Sequence, residues 1–114
     1  MRLRFWILSL PLLLALLALA RSPQPSEAAA PATDAQVKID NFSFAPATIT
    51  VAAGTSVKWV NHDDIPHNVV SDDKSFKSKV LDTDEEFTYT FSKPGTYSYF
   101  CSIHPKMTGK VVVQ

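Results

Sequence analysis

Phe87-Thr88-Tyr89-Thr90-Phe91-Ser92-Lys93-Pro94-Gly95-Thr96-Tyr97-Ser98-Tyr99-Phe100 reads as a strand, a turn and a second strand. The aromatic residues at 87, 89 and 91 share one face of an extended chain, because successive side chains of a strand point to opposite sides. Lys93-Pro94-Gly95 supplies the break, proline by fixing its own backbone and glycine by accepting turn conformations. The same alternation recurs outward from this segment. Val37 with Ile39, Ile49 with Val51, Val57 with Trp59 and Val111 with Val113 are period-two pairs, and Val69-Val70 adds a short apolar run. Ala45-Pro46, Ala53-Gly54, Asp72-Asp73 and Thr108-Gly109 punctuate them. No window carries a helical apolar stripe. The pattern predicts an all-β fold, a Greek-key antiparallel β-sandwich of seven to eight strands. Ser71 to Glu86 is polar and of mixed charge, and reads as a long surface connection with at most a short irregular strand. Phe42, Phe44, Trp59, Phe87 and Phe91 are the expected aromatic core.

The chain opens differently. Arg2 and Arg4 precede an apolar block from Phe5 to Ala20, and a Pro/Ala/Ser-rich stretch follows. This is the layout of a secretory signal peptide. Residues 1–32 are therefore assigned to a signal peptide with its Pro/Ala-rich tail, and residues 33–114 to a single domain. The block is short for a permanent span, which takes about 20 apolar residues. Cleavage after Ala20 and cleavage after Ala32 both suit the sequence; an uncleaved leader is the one way the chain would meet a membrane. Export points to the periplasm. From Thr33 onward eight Lys face ten Asp plus Glu, a net charge of −2. Nucleic-acid partners call for a concentrated basic surface, so none is expected. The lone Cys101 cannot staple an exported fold and needs another role.

That role is suggested by its neighbours. Cys101-Ser102-Ile103-His104-Pro105-Lys106-Met107 carries three donors on one loop, and Pro66-His67-Asn68 offers a fourth. If the Val57–Asn61 strand and the Tyr97–Phe100 strand end at the same pole of a sandwich, His67 meets that loop in space. A thiolate and a thioether suit Cu(I), two imidazoles are acceptable to Cu(II), and a His2Cys set with a weak axial Met describes a blue-copper electron-transfer site. His67, Cys101, His104 and Met107 are the candidate metal ligands. His62 is read as a solvated side chain, and Asp63 and Asp64 as solvent-facing charges. The Asn68 amide is placed to tie the His67 loop to the Cys101 loop. Ile103 has a backbone N–H that a proline would lack, and is expected to give the sulfur a second hydrogen bond.

With these residues in view the chain resembles the cupredoxins, and among them the amicyanins, across essentially all of the mature domain. The matching elements are Trp59-Val60-Asn61, Pro66-His67-Asn68-Val69, Pro94-Gly95-Thr96-Tyr97, the Cys101–Met107 loop and Gly109-Lys110-Val111-Val112-Val113. The short gap between His104 and Met107 is similar to that of amicyanins. The resemblance implies a type 1 copper held by His67, Cys101, His104 and Met107, and a periplasmic one-electron carrier with no substrate chemistry of its own. Amicyanins pass electrons from methylamine dehydrogenase to a c-type cytochrome, so a donor dehydrogenase and a cytochrome acceptor are the partners implied. Ile103 and Lys106 depart from the amicyanin pattern, which usually has Pro and an aromatic there. A monomer is expected, with His104 as the electron port, ringed by Ile65, Pro66, Ile103 and Pro105. The rival reading is a copper-trafficking protein that delivers Cu(I). A structural zinc site is weaker, since such sites prefer Cys and His to Met.

Overall fold

In the computed structural model, which describes residues 34–114, alternating apolar side chains build eight strands and, among the described residues, no helix. The leader assigned to residues 1–32 lies outside the described residues. The strands are β1 (Ala35–Asp40), β2 (Ser43–Ala45), β3 (Thr48–Val51), β4 (Thr55–Asn61), β5 (Val70–Ser71), β6 (Glu86–Phe91), β7 (Gly95–Phe100) and β8 (Thr108–Val113). One sheet has the order β2-β1-β4-β6 and the other β3-β8-β7-β5. Val37 and Ile39 of β1, Val57 and Trp59 of β4, and Val111 and Val113 of β8 turn into the space between the sheets. Trp59 is its centre: the indole meets the rings of Phe76, Phe87, Phe91 and Tyr99 at centroid distances of 5.4–6.3 Å.

The expected sandwich is present, with one correction: it is mixed, not purely antiparallel. β1 runs parallel to β4 and β3 parallel to β8, while the remaining pairs are antiparallel. The chain passes from one sheet to the other between β2 and β3, so neighbours in a sheet need not be consecutive in sequence. Alternation reports which face a side chain takes and carries no information on strand direction.

Two further expectations are corrected. Ser71 to Glu86 is no simple surface connection. Phe76, Ser78 and Leu81 are buried, and the segment hydrogen-bonds alongside 67–71 through Ser78 N to Val69 O and Leu81 N to His67 O. Phe42 is not core: it is 47% exposed, whereas Phe44 two residues on is 3% exposed. Phe42 sits with Asn41 in the turn between β1 and β2, where Asp40 pairs with Ser43. A turn displaces a side chain from the alternation that surrounds it.

Candidate metal centre

His67 is immobilised before its ring is considered. Its N–H donates to Leu81 O at 3.1 Å, and its carbonyl accepts from Leu81 N at 2.7 Å. The loop leading to it is shaped by Asn61 at the end of β4. Asn61 Oδ1 accepts from Asp63 N, and Asn61 Nδ2 donates to the carbonyls of Ile65 and Leu81, all at 2.9 Å. These bonds give both ends of a buried amide partners and fold the 61–65 segment back on itself.

Cys101 follows β7 directly, and Met107 precedes β8, whose Thr108 pairs with Phe100. The loop between them closes on itself: Cys101 N donates to Met107 O at 3.1 Å and Met107 N to His104 O at 2.9 Å. The expected tie from Asn68 is present in two bonds. Asn68 Nδ2 donates to Ser102 Oγ at 2.7 Å, and Ser102 N donates to Asn68 Oδ1 at 2.8 Å. Asn68 N–H points at Cys101 Sγ at 3.5 Å. Among the described residues it is the sulfur's one backbone donor; the second bond expected from Ile103 N–H is not formed.

The donor atoms of His67, Cys101 and His104 all lie within 4.8 Å of one another, close enough to share one metal ion. Cys101 and His67 are fully buried. His67 Nδ1 faces Cys101 Sγ at 3.7 Å, while Nε2 lies 2.9 Å from Asp63 Oδ2. An ionised carboxylate only accepts, so the neutral His67 ring that a metal needs carries its proton on Nε2, with the Nδ1 lone pair free toward the sulfur. His104 Nδ1 is buried and has no hydrogen-bond partner in the protein. A buried imidazole nitrogen without a partner is costly unless it ligates something. Met107, 5% exposed, is tied to Cys101 and His104 through its backbone carbonyl and N–H. Two imidazoles, a thiol and a thioether at this pole are the donor set that suits copper, and the residues present fit one such ion.

The profile of the cupredoxin-like domain matches residues 10–113. The chain belongs to the cupredoxin family. Among its relatives, amicyanin-alpha of Methylorubrum extorquens is 37% identical over 90 residues, covering 75% of this chain and 76% of that one. The solved structure of a purple cupredoxin from Nitrosopumilus maritimus superposes with a TM-score of 0.69 at 35% identity, over 71% of this chain and all of that one. A Cu-containing nitrite reductase from Thermus scotoductus superposes with a TM-score of 0.67 at 34% identity, over 72% of this chain and 22% of its own length.

This cupredoxin also has two contributors at its metal pole that alternation and spacing did not reveal. Asp63, expected in solvent, has only 13% of its side chain exposed. The hydrogen bond from His67, and after it the N–H of Phe42, hold its carboxyl below the usual carboxylate range. The signal lay in its place four residues before His67, in a segment that Asn61 turns back. Phe42 meets the rings of His67 and His104 edge-on, at 5.7 and 5.0 Å and an interplanar angle of 87° in both cases. Its backbone is strained: φ is 49° at Asn41 and 56° at Phe42. A non-glycine residue in this left-handed region costs about 1–3 kcal/mol. His62 and Asp64 are exposed as expected, with His62 Nδ1 3.9 Å from an Asp84 carboxylate oxygen.

Proposed function

We propose that this cupredoxin is an exported, periplasmic electron carrier with one type 1 copper, liganded by His67, Cys101, His104 and Met107. The observation that carries the reading is the convergence of three donors within 4.8 Å. When bound, copper alternates between Cu(I) and Cu(II) and so supplies a one-electron step. The chain supplies position. Leu81 holds the His67 backbone, Asp63 fixes its tautomer, and the Asn68–Ser102 pair locks the two ligand loops together. Donors fixed in advance rearrange little between oxidation states, which favours transfer in both directions. Met107 would offer the copper a weak thioether donor, and Cys101 would offer a soft, charge-donating thiolate.

His104 is the ligand nearest the surface and the route for the electron. Beside it lies a shallow depression of about 450 Å³ bounded by Phe42, Ile103, His104, Pro105, Lys106 and Met107. An apolar rim with one cation suits brief docking, since redox encounters use small interfaces and charge steers them. The partners are redox proteins, a donor dehydrogenase and a c-type cytochrome acceptor, met by a monomer. The domain runs from residue 33 to 114, and the leader before it directs export.

The visible and EPR spectra of the copper-loaded protein test this. An intense thiolate-to-Cu(II) band with reversible redox cycling and no copper loss is expected. A colourless Cu(II) form would overturn the type 1 site, and ready hand-over of Cu(I) to an apo acceptor would make the chain a trafficking protein instead.

A further inference from the structure

One carboxylate oxygen, Asp63 Oδ2, is shared by two donors from different parts of the chain. His67 Nε2 lies 2.9 Å from it and Phe42 N 3.0 Å. Phe42 occupies the second central position of the β1–β2 turn, at a φ of 56° where glycine is the easy choice. The ring gains little burial there, at 47% exposed, yet it touches both candidate ligand imidazoles. Neither turn formation nor core packing accounts for a bulky apolar side chain at such a place; glycine or asparagine would serve the turn better.

We propose that Asp63 and Phe42 form a clasp over the metal pole. The carboxylate orients His67 and pins the turn, and the pinned ring caps His104 so that its imidazole stays on the ion. Both are positioning residues. His104 needs this more than His67 does. His67 is held by Leu81 at its backbone and Asp63 at its ring, whereas His104 Nδ1 has no protein partner. The cap ring stands perpendicular to the imidazole of His104 at a centroid distance of 5.0 Å, and the two line the same surface depression. Asp63 transmits the restraint, because the N–H it accepts belongs to the residue that carries the ring.

The inference rests on the copper reading above, and its test keeps the two apart. The full chain loaded with Cu(I) is challenged with excess Cu(I) chelator, and the metal-free chain is unfolded thermally. Phe42→Gly should release copper faster, roughly tenfold or more, as loss of supports around metal ligands commonly does. Its metal-free form should be at least as heat-stable as the parent, because the strained position is relieved. Phe42→Asn, which tolerates the same φ, is the second variant and should behave alike. Asp63→Ala should also speed release and, in the protein oxidised to Cu(II), should broaden the EPR signature, and its effect on release should shrink in the Phe42→Gly background. Equal release rates for parent and both Phe42 variants, or full additivity of Asp63→Ala with Phe42→Gly, would overturn the clasp. A parent with no thiolate-to-copper band would sink the copper reading itself.

Discussion

At the scale of single residues, the metal pole divides its labour between atoms that could bind and atoms that orient them. Cys101 alone provides a thiolate, and its substitution is the sharpest probe. Cys101→Ser should abolish the visible band, since a hydroxyl cannot replace a soft, charge-donating sulfur. Met107→Leu should keep the band and raise the reduction potential, because loss of a weak donor disfavours Cu(II). A Ser variant that stayed blue would remove Cys101 from the site. The four candidate donors stood out in the sequence because their spacing has chemistry in it. Asp63 and Phe42 did not, since an acidic residue in a polar run and a phenylalanine near other phenylalanines carry no such mark. Only the return of the 61–65 segment and the positive φ at Phe42 give them a role.

Strands and loops show the same division between what a pattern contains and what it lacks. Alternation identified the faces of β1, β3, β4, β6 and β8, whose buried and exposed sides it shares. It could not identify β2, three residues long with only Phe44 inward, nor that β1 lies parallel to β4. Segment 71–86 looked like a surface loop because its charges outnumber its apolar residues. Phe76 and Leu81 nevertheless reach the core from it. The hairpin of β7 and β8 shows a different constraint. Gly109 lies opposite Tyr99 in the ladder, and a Cβ built there would sit 2.3 Å from Tyr99 Cζ and 2.4 Å from its hydroxyl. Gly109 is required by space, with φ outside the left-handed region. Tyr99 cannot give way, being 1% exposed between Phe44, at a centroid distance of 4.8 Å, and Trp59. Burial also pushes its phenol up to about 12. Gly109→Ala should therefore destabilise the domain by about 1–3 kcal/mol, the usual cost of overpacking. Denaturant unfolding measures it, and an unchanged midpoint would mean that the hairpin can shift.

For the molecule as a whole, charge sets the response to acid. From Thr33 onward eight Lys face ten Asp plus Glu, so the domain is mildly anionic at neutral pH and becomes cationic as carboxylates protonate. Several of those carboxylates are tied down in the fold. Glu85 is held below its ordinary value chiefly by a hydrogen bond from Lys79, and Asp73 chiefly by the Ser75 hydroxyl. A carboxyl whose folded pKa is depressed binds its proton more readily in the unfolded chain. Its stabilisation is thus whole above the ordinary carboxylate pKa of about 4, and is lost as pH falls through the lowered folded value. Asp73 is exposed and Glu85 is half-buried against an exposed Lys79, so each contribution is small and screened by salt. The expectation is a metal-free domain whose melting temperature holds from neutral pH to the upper edge of the carboxylate range and then declines. Glu85→Gln should melt below the parent at neutral pH and converge with it in acid, because the interaction it removes is already gone there. High salt should narrow the neutral-pH gap as well. A gap that stays constant from pH 7 down to pH 3 would show that Glu85 acts through packing and that its pairing with Lys79 has no part in acid stability.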